Sequence, residues 1–191
     1  VDFYKLKKTK LHDYTVFTSD TIKLIISGVG VSNSRSATQA LINNFDIIDE
    51  DVFLNVGICA AHESHKLGSL LDIGTVIYED NSYTFKGDKK KILCLDKEAY
   101  TNMAEIVDME SFGFYDAVVH SPAIKNFFIL KIVSDHFQPY TITKDNTKSF
   151  VFNVINDINI LINKLQGWTL KVFLLLLALF LTLTAGDSKV E

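Results

Sequence analysis

Apolar positions recur along this chain in two alternating rhythms. Short runs of β-branched and aromatic residues at 14–17 and Ile22–Ile26 have the composition of strands. Between them and residue 44, Ala37, Ala40 and Leu41 recur near helical spacing, with Ser32 or Asn33 able to cap the helix. The run 51–56 is almost wholly apolar, as a strand covered on both faces must be, and Gly57 is expected to end it. A further strand is predicted over Leu70–Tyr78 after a turn at Gly68, with Gly74 marking a bulge or a close approach. Residues 81–91 read as a polar, hairpin-like connection, 92–95 as strand, 109–119 as helix, and 127–133 as a buried strand stopping at Ser134-Asp135. Over 148–165, Val151, Val154, Ile155, Ile158 and Ile162 keep to one face, which predicts a single amphipathic helix. Strands alternating with helices in this way predict a three-layer α/β domain on a central mixed sheet, spanning residues 1–166.

The rhythm breaks at residues 167–191. From 172 to 185 the chain holds only apolar residues and two threonines, and the block reaches back to Trp168 if Lys171 is tolerated. That length just meets the roughly 17 residues a membrane-spanning helix needs. Lys164 and Lys171 precede it, Asp187 follows it, and Trp168 stands where an interfacial aromatic would. The segment 168–185 is therefore expected to be a hydrophobic helix that anchors a cytoplasmic domain to a membrane. The other two readings are a helix docked on the domain or a partner subunit, and a tail without function. If the anchor reading holds, a chain ending at Leu165 should fold alone.

Composition removes several function classes. The 191 residues are 48% hydrophobic, enough for a core without disulfide or metal staples. The net charge of -4 comes with no basic stripe, so nucleic acid is not an expected partner. The lysine-dense stretches at 5–10 and 86–91 read as solvated loop or strand edge. Cys59 and Cys94 each sit in an apolar run, the pattern of buried free thiols in a reducing compartment. His62 and His65 lack further clustered ligands, and neither a metal nor a cofactor is expected.

Four segments follow a strand or open a helix, where open α/β folds bind ligands. Ser27-Gly28-Val29-Gly30 allows backbone N–H groups to approach a ligand, or is simply a strand-to-helix turn. The segment 55–61 is built of small residues. In Val107-Asp108-Met109-Glu110-Ser111 a carboxylate can accept hydrogen bonds from a pair of hydroxyls beside a polarizable methionine, or the acids can serve the helix dipole. Asp135, ending a buried strand, is placed either as a general acid or as a cap.

Taken in order, SGVG, NVGICAA, GSLLDIGTV, VDMES and ILKIVSD resemble the purine nucleoside phosphorylase and nucleosidase superfamily over about residues 22–165. Within it the chain is most similar to methylthioadenosine/S-adenosylhomocysteine nucleosidases. The resemblance implies a nucleoside phosphorylase-like fold, hydrolysis of the N-glycosidic bond of a purine nucleoside, and a possible homodimer. It makes Asp135 the acid at purine N7, supported by Ser134, and Glu110 the acceptor of the ribose hydroxyls. Met109 would pack on sugar and base. Gly28 and Gly30 would border the phosphate or water side, with Gly57, Ile58 and Lys131 also on the substrate. Two positions depart from the pattern: Ile58 replaces a hydroxyl residue and Lys131 an arginine, which removes a planar bidentate grip. The family's first strand, which carries an acid that activates water, would precede Val1. Two other activities fit the same residues: a phosphate-dependent phosphorylase, and a non-catalytic nucleoside-binding or membrane-associated protein.

Overall fold

The computed structural model describes residues 5–165 and 172–176. The lysine-rich start is an edge strand, β1 (Lys7–Leu11), whose first four residues are exposed, joined by a hairpin to β2 (Tyr14–Thr18). Next come β3 (Ile22–Ile26), α1 (Val31–Asn44), β4 (Val52–Ala61), β5 (Leu70–Tyr78) and β6 (Asn81–Thr84). They are followed by β7 (Lys90–Cys94), β8 (Ile106–Asp108), α2 (Ser111–Val119), β9 (Asn126–Asp135), α3 (Lys144–Asn153), α4 (Ile155–Leu165) and β10 (Val172–Leu176).

The ten strands among the described residues form one mixed sheet. Strand β4 pairs with β8 and β9, β5 pairs with β7 and β9, and β7 pairs with β8, so these five strands close on themselves. On one face the core gathers Val31, Ala37 and Leu41 of α1 with Phe112, Phe114 and Val118 of α2. On the other, Val154 precedes α4, whose Ile158 and Ile162 pack on Leu54, Val56 and Leu130. The three-layer α/β architecture is the expected one.

Several local expectations are met or amended for physical reasons. Gly74 is both bulge and close approach: the β5–β7 register shifts across it, and an added Cβ would stand 1.8 Å from the Lys86 carbonyl oxygen. Gly57 does not end β4, which runs on through it as a buried ladder residue paired with Lys131. The single helix expected over 148–165 is two, separated at Val154. The first begins earlier because Thr143 and Asn146 form a reciprocal capping box. Strand β8 has too few residues for any period to show.

The tail expectation is overturned where the structure describes it. Val172–Leu176 is a strand, not part of a membrane-spanning helix, and it lies inside the sheet, parallel to β3 on one side and β4 on the other. Val172 and Phe173 are fully buried. The Phe173 ring stacks on Phe53 with centroids 4.6 Å apart. An all-apolar composition suits a strand with both edges paired and both faces covered as well as it suits a lipid-exposed helix. The remainder of 168–185 lies outside the described residues. Among the described residues, no helix is long and apolar enough to cross a membrane.

Candidate active site

Three chain segments converge because of two backbone devices. The first is Gly113, early in α2, where a Cβ would lie 2.0 Å from the Val31 carbonyl oxygen. Only glycine lets α2 approach the start of α1 this closely. The approach brings Glu110, just before α2, to the loop of Gly28 (φ 78°) and Gly30 (φ 102°), both in backbone regions that favour glycine. Gly30 N–H donates to Glu110 Oε1 at 2.9 Å.

The second device is a bulge at the end of β9. Cys59 of β4 pairs with Val133, but Ala60 pairs with Asp135, so Ser134 is the extra residue. A bulge re-aims the side chains that follow it. Ser134 and Asp135 line a cavity shared with Met109 and Glu110 just before α2, Ile58 of β4 and Val29 of the glycine loop. Asp135 is 7% exposed. Its Oδ1 accepts from Gln138 N–H at 2.8 Å, and its Oδ2 lies 2.8 Å from Ser134 Oγ. Ser134 Oγ is also 3.1 Å from the Cys59 carbonyl oxygen. One hydroxyl proton cannot serve both acceptors well. With Asp135 ionised, Ser134 donates to it; with Asp135 protonated on Oδ2, Ser134 can accept and turn its own proton to Cys59.

Glu110 is 3% exposed, and burial pushes its carboxyl up to about 7, Lys131 opposing the rise and Asp108 adding to it. Asp108 itself is committed to structure. Its carboxylate accepts from Ser111 N–H at 2.9 Å and Ser111 Oγ at 2.6 Å, fixing the entry to α2. Lys131 Nζ lies 2.7 Å from Asp108 Oδ2 with both side chains fully buried, a charge pair rather than an aligned hydrogen bond. Burial disfavours the Lys131 charge, but Asp108 and Glu110 more than offset this and hold its pKa above the usual lysine value.

The expected site residues thus separate. Asp135, Ser134, Met109, Glu110 and Ile58 meet in the cavity. Val29, between Gly28 and Gly30, forms part of the wall, while Gly57 and Lys131 pair with each other in the sheet and do not line the cavity. The sequence reading gave no role to Lys97, Glu98 and Ala99, which also line the cavity. They follow β7 in an irregular stretch with no periodic or motif signal.

No sequence-family model matches the chain, and no curated protein sequence does. Solved structures do. The Arabidopsis thaliana 5'-methylthioadenosine nucleosidase aligns over 83% of this chain and 89% of its own, with TM-score 0.62 and 16% identity. The fold is that of these nucleosidases. The methylthioadenosine/S-adenosylhomocysteine nucleosidase from Neisseria meningitidis, in complex with methylthio-immucillin-A, gives TM-score 0.62 at 14% identity over 80% of this chain and 90% of that one. The Colwellia psychrerythraea nucleosidase, in complex with adenine, gives 0.58 at 16% over 80% and 86%.

Proposed function

We propose that this protein hydrolyses the N-glycosidic bond of a purine nucleoside of the methylthioadenosine or S-adenosylhomocysteine type. The observation that carries the reading is that one cavity is lined by three buried carboxyl groups, of which Asp108 is engaged by Ser111 and Lys131, while Asp135 and Glu110 stand beside Met109. Breaking the bond from ribose to N9 leaves an oxocarbenium-like sugar and a base that departs poorly as an anion. Asp135 donates a proton to N7, so the base leaves as a neutral purine, and Ser134 adjusts its hydrogen bonding to the change. Glu110, once ionised, accepts hydrogen bonds from the two ribose hydroxyls and places negative charge near the developing cation. Met109 lies against the sugar and base as an apolar surface. So electrophilic a sugar asks little of its nucleophile: water adds to C1′ and loses one proton, which restores the acid form of Asp135.

Ile58 favours water over phosphate as that nucleophile, because it presents hydrocarbon to the cavity where a hydroxyl would bind an anion. The full chain is to be incubated with methylthioadenosine, S-adenosylhomocysteine, adenosine and inosine, with and without phosphate. Free base should appear without phosphate. Release that strictly requires phosphate would make the protein a phosphorylase, and release from none of the four would overturn the reading.

A further inference from the structure

A second cavity, of about 460 Å³ against about 170 Å³ for the first, opens immediately beyond Asp135. Three chain segments that line the first run straight on into it. Ala99 is followed by Tyr100, Asp135 by His136, and Pro139 by Tyr140. Phe137 joins the two, since it lines the second cavity while packing on Ala99 of the first. Its φ of 60° is a strained conformation for a residue with a side chain, of the kind held at functional sites.

We propose that this second cavity is a base-side extension of the active site, and that it takes a flat apolar substituent carried on N6 of the purine. The inference rests on the nucleosidase reading and deepens it by naming the substrate class. Purine N7 and the exocyclic group on C6 share one edge of the base. A base whose N7 meets Asp135, with its ribose toward Glu110 and Met109, therefore directs its C6 substituent away from the sugar and past Asp135. The second cavity begins at the next residue.

Three aromatic rings, Tyr100, Phe137 and Tyr140, stand among otherwise polar lining residues and offer flat faces to such a group. Tyr100 and Tyr140 are 63% and 74% exposed, large planar surfaces left open to solvent at a concave site. Tyr100 is steadied by its hydroxyl, which donates to Glu98 Oε2 at 2.8 Å. His136 Nδ1 lies 2.9 Å from the Ala61 carbonyl oxygen, which can only accept, so Nδ1 carries the proton. In the neutral ring Nε2 is then an acceptor, suited to the single N–H of a substituted amine. A substrate enlarged on its ribose instead would leave these groups unused.

The test is binding of two free bases, adenine and N6-benzyladenine, to the full chain by calorimetry. N6-benzyladenine should bind at least tenfold tighter. Asn102→Trp, which fills the cavity from an exposed loop, and Tyr140→Ala, which removes one planar face, should each cut that preference severalfold. Adenine binding with N6-benzyladenine equal or weaker would overturn the extension and leave the nucleosidase reading standing. A preference unmoved by both variants would also overturn it. Binding of neither base would overturn both.

Discussion

Lys131 and Asp108 form an ion pair 2.7 Å long with neither side chain reaching solvent, and Asp108 lines the cavity that holds Glu110. Removing one member of a buried pair strands the other charge, at a cost of about 3–5 kcal/mol. Lys131→Met should therefore lower the melting temperature by many degrees, and the double variant Lys131→Met/Asp108→Asn should recover part of the loss. A single variant that melts with the wild type would show the pair to be energetically idle.

Glu110 links stability to pH, with a definite sign. Its carboxyl in the fold titrates near 7, against an ordinary value of 4.5, so the folded protein holds the proton more tightly. The stability this gives is full below about pH 4.5 and is lost as the pH climbs to 7, about 3 kcal/mol in all. Glu110→Gln keeps an oxygen for Gly30 N–H but cannot ionise. Its melting temperature should gain on the wild type from pH 4.5 to 7 and then run parallel. Curves parallel throughout would contradict the assignment.

Asp135 and Ser134 should separate kinetically. Asp135→Asn cannot deliver a proton to N7 and should reduce kcat by about 100-fold to 10,000-fold with the fold intact by circular dichroism. Ser134→Ala leaves the acid in place and should cost less. Equal losses would mean that the serine, not the carboxyl, limits proton delivery.

Cutting the chain after Leu165 removes β10 and leaves β3 and β4 with unpaired facing edges and an uncovered Phe53. Those edges carry backbone groups that must find partners. The truncated chain should be recovered as aggregate, without the heat-absorption peak of the full chain. A folded, soluble truncation would show that β10 is dispensable.

Much of the frame was legible in the sequence because burial writes itself in period. Strands β3, β4, β5 and β9 and helix α1 each carry enough apolar residues for the pattern to show. That Asp135, Met109 and Glu110 share one cavity was legible because strand ends and helix starts meet at the same edge of such folds. Lys131, which the resemblance put on the substrate, pairs with Asp108 and does not itself line the cavity, a side-chain partnership that no strand pattern shows. The 97–99 wall and the second cavity come from irregular segments, whose positions follow from what they pack against. Val172–Leu176 was read as helix for a different reason: a run of leucines has no period by which strand and helix can be told apart.

The placement of β10 also orders events in time. On the ribosome β3 and β4 emerge well before the strand between them, which is the last of the described strands to be made. Until then the nascent chain holds an open apolar slot at the centre of its sheet, closed by one of the most distant pairings in the molecule. Such pairings form slowly and leave strand edges open to neighbouring chains in the meantime. Expression at lower temperature, or with holding chaperones, should raise the soluble yield more than any change to the cavity.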